Sequence, residues 1–538
     1  MKVSIAAILL AFFTAPVMAA SPHPFDVHDL VMMDRVGDPV LSPDAGTAAF
    51  SVRETDYAAN KGVTSVWVLN LRDPDAKPEK IREGASPQFS ADGTLFFLAD
   101  DKAGITQLWR RSGNSAEQAS ELPISINNFR ISPDGRHVLV SVDVFMDCKD
   151  LACTRAKLDA RAKDKATGRL YHKLFVRHWN EWMDGRRSQL FIAMLGSYGK
   201  LEGAPIWLTK NVDADIPSKP FGDNTDYGFS PGGKTVYFDA KPGGSSEAWS
   251  TDFNVYSVPA DGSAAPVNLT SDNEAWDAFP LASADGKTLY YLAMKTPGFE
   301  SDRFAIMARD LATGSTREVD PDWDRSAGPL QLSADGKTLY TTADDEGNHR
   351  LFAVDMASGK VRNLSGDGTV TGFAAANGKL LVARQDFKHP TDLYAANANG
   401  GNFHQLTHFN AARLANIEFA DWQWFSFKGW NGDTVQGYVM QPVGYVKGRK
   451  YPIAFLIHGG PQGSWTDDFH YRWNPETYAG QGFAVVAINF HGSTGYGQAF
   501  TDSISQHWGD RPLIDLQKGW AAALTKFPFL AADRACAL

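Results

Sequence analysis

The sequence predicts an all-β, seven-bladed β-propeller followed by an incomplete α/β domain, and three observations carry that prediction. A short pattern of Ser, Pro or Ala, Asp and Gly recurs along the first 400 residues at periods of about 40 to 50 residues, the spacing of propeller blades. The runs that follow each copy alternate apolar and polar positions, as half-buried strands do. From about residue 416 the alternation gives way to continuous apolar runs ending in glycine-rich segments, the mark of strands buried on both faces. The expected boundaries are residues 1–20 for a signal peptide, 21–415 for the propeller and 416–538 for the α/β part.

The first residues read as an export signal. Lys2 supplies the positive end, Val3 to Phe13 is an apolar run, and Val17-Met18-Ala19-Ala20 offers small residues for cleavage. A membrane anchor would need about 20 apolar residues, and Thr14 and Pro16 interrupt this run. The expectation is a periplasmic or secreted protein without stable membrane insertion.

The repeat comes next. Its copies are Leu41-Ser42-Pro43-Asp44, Phe89-Ser90-Ala91-Asp92-Gly93, Ile131-Ser132-Pro133-Asp134-Gly135, Phe229-Ser230-Pro231-Gly232-Gly233, Ala282-Ser283-Ala284-Asp285-Gly286 and Leu332-Ser333-Ala334-Asp335-Gly336, with Ala376-Asn377-Gly378-Lys379 as a degenerate seventh. Asp and Gly favour a tight turn and the following residues are strand formers, so each copy marks a hairpin corner. A long insertion separates Asp134 from Gly232. It holds Cys148 and Cys153, a candidate local disulfide in an exported protein, with free thiols as the alternative. It also holds the aromatic stretch Arg177-His178-Trp179-Asn180-Glu181-Trp182, either an ordinary surface loop or a substrate-facing one.

The pattern G-x-S-x-G occurs at Gly228-Phe229-Ser230-Pro231-Gly232, inside the repeat. A nucleophile elbow joins a strand to a helix, and the residue after its serine donates an N–H that Pro231 lacks. Ser230 is therefore read as a turn residue.

Beyond residue 416, Trp424-Phe425-Ser426-Phe427 and Gln436-Gly437-Tyr438-Val439-Met440 are expected to form an antiparallel hairpin. Pro452 to Ile457 and Phe483 to Ile488 are buried strands, ending in His458-Gly459-Gly460-Pro461 and in Asn489-Phe490-His491-Gly492-Ser493-Thr494-Gly495-Tyr496-Gly497. Leu513 to Thr525 has helical spacing, Ala535 to Leu538 begins another strand, and Cys536 is expected to be buried in it. Glycines directly after a buried strand let backbone N–H groups approach a developing oxyanion. Gly460 is the candidate donor, with His458 and Gly459 shaping its loop. Asp510 and Asp515 read as a helix cap and a helix-surface charge.

Composition narrows the function. A net charge of −10 argues against a nucleic-acid surface, three cysteines in 538 residues are too few for a disulfide scaffold, and no metal or organic cofactor is implied.

The signal, the Ser-Pro-Asp-Gly blades, His458-Gly459-Gly460-Pro461 and His491-Gly492-Ser493-Thr494-Gly495-Tyr496-Gly497-Gln498 together resemble the prolyl oligopeptidase family of serine peptidases. Val176-Arg177-His178-Trp179, Ala248-Trp249-Ser250-Thr251-Asp252-Phe253 and Gln498-Ala499-Phe500-Thr501-Asp502-Ser503-Ile504 most resemble its dipeptidyl-peptidase V and acylaminoacyl-peptidase branch, although many relatives carry Arg where His491 stands. The resemblance implies a propeller over an α/β-hydrolase that acts on peptides through an acyl-enzyme. It places the nucleophile, acid and base of that chemistry after Asp533-Arg534, absent from this chain. Residues up to Leu538 are then expected to be inactive alone, with an unpaired apolar sheet edge. Within this reading Glu181 and Glu300 are candidates to hold the substrate amine, and Tyr496 to line the substrate. The partners would be peptides, in an assembly the sequence leaves open. The alternatives are a non-catalytic propeller platform with a vestigial hydrolase segment, or a carboxylesterase.

Overall fold

The structure, a computed structural model, describes residues 21–538; the expected export signal falls on residues 1–20, outside the described residues. Residues 35 to 405 form five separate four-stranded sheets and one eight-stranded sheet. The larger sheet divides into two four-stranded units at a single parallel pair, His349 with Thr369. Seven units therefore follow one another along the chain, each a meander of antiparallel strands such as Thr288–Ala293 between Asp277–Ala282 and Ala305–Asp310.

The recurring serine and aspartate explain the recurring unit. In the first copy Ser42 donates to Asp44 at 2.7 Å, the Asp44 carboxylate accepts from Gly46 N at 2.8 Å, and Ser42 Oγ accepts from Thr47 N at 2.9 Å. Ser132 with Asp134, Ser283 with Asp285 and Ser333 with Asp335 repeat the serine-to-aspartate bond at 2.6 to 2.7 Å. Glycine follows in the left-handed region, with φ near 69° at Gly135 and 68° at Gly286 and Gly336. The side chains thus satisfy the backbone donors of a corner too tight for its own ladder. Ser230 fills the same role by accepting from Thr235 N at 3.1 Å. It sits between two strands of one hairpin, Tyr227–Phe229 and Thr235–Ala240, so it is a turn residue and no elbow.

Neighbouring units pack face to face. Val36, Phe50, Val52 and Leu69 of the first share a core with Leu381, Ala383 and Leu393 of the last, and Asn377 donates to Asp44 O across the same seam at 3.2 Å. The long insertion in the third unit carries the Leu151–Lys163 helix and the short hairpin of Arg177–His178 with Glu181–Trp182. Cys148 and Cys153 are bonded there as a disulfide.

A second part holds one five-stranded sheet, in the order Trp422–Lys428, Thr434–Met440, Ala484–Asn489, Tyr451–Leu456, Leu530–Ala537. Its first two strands are the expected hairpin, and the last three run parallel. The Arg511–Lys526 helix packs through Ala523 onto the core of Val435, Ile453, Val486 and Ile488. The final strand starts at Leu530, five residues before the predicted Ala535, because Leu530 is buried and already pairs with Tyr451. Cys536 departs from expectation. It is a free and exposed thiol, since this outermost strand has no element packed over its far half. The segment at residues 23–33 bridges the two parts: Thr55 of the first repeat unit donates to Val31 O at 2.7 Å, and other contacts reach the second part. His23 and Pro24 pair with Ile417 and Glu418, and Phe25 stacks on Phe419 at 5.4 Å and meets Phe469 edge-on.

Candidate active site

Two parallel strands present the two glycine-rich loops. Ile453 pairs with Ala484 and Leu456 with Ala487, so the chains at 457–464 and 490–497 leave the sheet side by side at the same edge. In parallel sheets that edge, beyond the strand carboxyl ends, is where ligands bind.

Gly460 is exposed, adopts φ +126° and precedes a cis peptide to Pro461. A Cβ at this position would come within 2.6 Å of Gln462 N, so only glycine fits. Its N–H has no acceptor among the described residues. Gly459 is also exposed, and a Cβ there would meet open space.

His458 shapes the loop from beneath. Its Nδ1 faces Gly459 O at 3.0 Å and its Nε2 faces Ser493 Oγ at 2.8 Å. A carbonyl only accepts, so Nδ1 carries the proton and Nε2 accepts from the serine. The ring stacks on Phe490 at 4.2 Å, and burial pushes its pKa down to about 4. This is the one serine–imidazole hydrogen bond among the described residues. Ser493 is fully buried, beyond the reach of a substrate carbonyl, and the pair braces one loop against the other.

Tyr496 is likewise committed to the scaffold. Its hydroxyl accepts from Asn489 Nδ2 at 2.8 Å and donates to Gln436 Oε1 at 3.2 Å, and burial raises its pKa. Asn489 in turn clasps Trp465 through both N and O, at 2.8 and 2.9 Å. The Tyr496 hydroxyl thus fixes the loop.

Asp515 is corrected more sharply. Instead of a surface charge it is fully buried, because it lies on the inner face of its helix. Its carboxylate accepts from Trp430 N at 2.6 Å, His491 N at 2.7 Å and His491 Nδ1 at 2.6 Å. A Cβ on Gly429 would come within 2.3 Å of it, so the glycine makes its room. His491 stacks on Phe500 at 4.2 Å and lies 3.3 Å from Asp433. Asp510 stands at the helix N-cap but makes no capping bond; His507 occupies its carboxylate at 3.1 Å.

Beside these loops opens a cleft of about 220 Å³ whose walls come from both parts, among them Glu300, Asp302, Asp324, Gln462, Gly495 and Gln498. Gln498 crosses to the repeat units by accepting nothing and donating twice, from N to Asp324 at 2.9 Å and from Nε2 to Ser301 O at 3.0 Å. Glu300 thus lines the same cleft as Gln462, two residues beyond Gly460 in the chain. Glu181 does not line this cleft; it is exposed on the insertion hairpin. A wider hollow of about 610 Å³, lined by Ser42, Asp44, Asp92 and Arg110, is formed by the repeat turns and shares no residue with the cleft. Among the described residues no three His, Cys, Asp or Glu side chains converge as metal ligands.

Comparison with known proteins adds to this geometry. Residues 469–538 match the prolyl oligopeptidase family. Over 542 residues the chain is 34% identical to a probable dipeptidyl-peptidase 5 of Aspergillus clavatus, covering 93% of this chain and 73% of that protein. It is 29% identical over 520 residues to the dipeptidyl-peptidase 5 of Porphyromonas gingivalis, with 93% and 73% covered. Among solved structures, the uncomplexed acylaminoacyl peptidase of Pyrococcus horikoshii superposes with a TM-score of 0.75 at 17% identity, over 95% of this chain and 74% of that one. A puromycin-hydrolyzing peptidase of Mycobacterium tuberculosis gives 0.63 at 18%, over 96% and 76%.

Proposed function

Because this chain belongs to the prolyl oligopeptidase family, we propose that its seven four-stranded units close into a propeller over an α/β-hydrolase site, and that the protein is an exported serine-type exopeptidase. It would release dipeptides, or acylated residues, from peptide N-termini through an acyl-enzyme. The observation that carries this reading is the N–H of exposed Gly460, without an acceptor among the described residues, in a loop beyond a parallel strand whose Gln462 lines a cleft with three carboxylates, Glu300, Asp302 and Asp324, and two arginines, Arg303 and Arg325. A backbone N–H so placed stabilises the tetrahedral oxyanion, a contribution of about 2.7–4 kcal/mol for one donor. Carboxylates at the cleft suit the ammonium of a peptide N-terminus, and Glu300 is the residue assigned to it. The likeness to two dipeptidyl-peptidases 5 over more than nine-tenths of the chain supports dipeptide release. The apolar N-terminal stretch supports export to the periplasm or beyond.

In this reading residues 21–538 provide the oxyanion side and one wall of the substrate site. The nucleophile, acid and base of this chemistry are assigned to no residue among 21–538. The test is turnover by the full-length gene product of dipeptidyl, acylaminoacyl and simple ester chromogens, together with labelling by a serine-directed phosphonate. Dipeptide release with labelling is expected. Ester cleavage without any peptide turnover would favour a carboxylesterase, and neither turnover nor labelling would favour a binding platform.

A further inference from the structure

One hairpin of the repeat units ends inside the second part. It joins the strands Thr338–Asp344 and His349–Asp355, and each residue of its tip is held. The Asp344 carboxylate meets one group on each of its oxygens: His349 Nδ1 lies 2.7 Å from Oδ1, and Thr494 donates to Oδ2 at 2.6 Å. Glu346 N donates to Gly495 O at 3.1 Å, and Gly347 O accepts from Asp467 N at 2.8 Å. The fit leaves no room for side chains. A Cβ on Gly347 would meet the Trp424 ring at 2.4 Å, and one on Gly495 would meet the Asp344 and Asp345 backbone at 3.0 Å.

Thr494, on one glycine-rich loop, links Asp344 to Ser464 on the other. Thr494 Oγ1 and Ser464 Oγ are 3.2 Å apart, and Thr494 N donates to Gly463 O at 3.1 Å. Gly463 and Ser464 close the loop that Gly460 opens. On the side of the repeat units the tip is anchored as well, since Asp345 pairs with Arg325 at 2.8 Å and with Arg350, which also reaches Asp367 at 2.7 Å.

We propose that Asp344 is a positioning residue for the oxyanion loop: by holding Thr494 against Ser464, a carboxylate of the repeat units sets where the Gly460 N–H points. The proposal rests on the peptidase reading for the purpose of that N–H, but the positioning itself is independent of it. Hydrogen bonds to a charged acceptor are about twice as strong as neutral ones. Beyond the two bonds from Thr494 to Gly463 O and Ser464 Oγ, the loop meets the rest of the second part through His458 with Ser493 and Trp465 with Asn489. Losing the carboxylate would therefore free residues 459–464 without unfolding the sheet below.

The experiment is amide hydrogen exchange on the full-length gene product, comparing wild type with Asp344→Ala, Thr494→Val and Thr494→Ser. Exchange at the hydrogen-bonded amides of the two loops, Gly463, Trp465 and Thr494, should accelerate roughly tenfold in Asp344→Ala and Thr494→Val, the equivalent of one charge-assisted bond. Exchange in the Ala484–Asn489 strand should stay unchanged, and Thr494→Ser, which returns the hydroxyl, should restore the loop. In the same variants kcat should fall about tenfold while KM stays within about twofold. Unchanged loop exchange, or equal acceleration in loop and strand, would overturn the proposal. Absence of peptide turnover in the wild type counts against the peptidase reading alone, because loop exchange decides the positioning either way.

Discussion

Glu476 shows how burial and charge interact at a single residue in this protein. It is fully buried in the Pro475–Gly480 helix, with one carboxyl oxygen accepting from Ala420 N at 2.9 Å and the other unpaired. Burial pushes its pKa from 4.5 up to about 8. Between those values the folded protein keeps a proton that the unfolded chain releases, so stability falls as pH rises from about 4.5 to about 8 and then levels. Glu476→Gln removes the titration while keeping an acceptor for Ala420. The variant should unfold at the same urea midpoint as wild type near pH 4.5 and at a higher one at pH 8. The gain there is on the order of a few kcal/mol, and a wild-type pH profile retained in the variant would refute the assignment. His458 works in the opposite sense. Its pKa is lowered to about 4, so its contribution is lost as pH falls from about 6.5 to about 4.

At the scale of elements, the serine–aspartate turn is the device that makes each unit. Ser283 bonds Asp285 at 2.7 Å and receives Thr288 N at 3.0 Å. Ser283→Ala leaves that N–H without its partner and should cost about 1–2 kcal/mol in urea denaturation; no loss of stability would mean the turn is held by backbone alone. These turns were legible in the sequence because their information is local: a hydroxyl, a carboxylate and a glycine within five residues. The parallel strands before His458 and Asn489 were legible for the same reason, as unbroken apolar runs. What the sequence hid is long-range. Asp515 looked like one of many helix charges, and only its fold-dependent meeting with Trp430 and His491 reveals it as a buried clamp. Asp344 and Thr494 are separated by 150 residues, and no spacing rule links them. Cys536 was misjudged because an apolar neighbourhood in sequence does not say whether another layer covers that stretch of strand.

For the whole molecule the decisive feature is that the first and last units meet. Phe50 and Leu381, both fully buried, belong to one core although they lie at opposite ends of the repeat. If the units close as a ring, Phe50→Ala and Leu381→Ala should each cost about 2–5 kcal/mol. Measured together in a double-mutant cycle they should be coupled by about 0.5–3 kcal/mol, whereas strict additivity would argue against closure. Such closure would fix the hairpin at Asp344, the cleft at Glu300 and the loop at Gly460 relative to one another. The account therefore rests most directly on Gly460, and its neighbour supplies the control. In the full-length gene product, kcat for dipeptide release should fall about 10²- to 10³-fold in Gly460→Ala, where a side chain has no room, and stay near wild type in Gly459→Ala, where space is open. A Gly460→Ala variant that folds and turns over at the wild-type kcat would contradict the assignment of this N–H to the oxyanion.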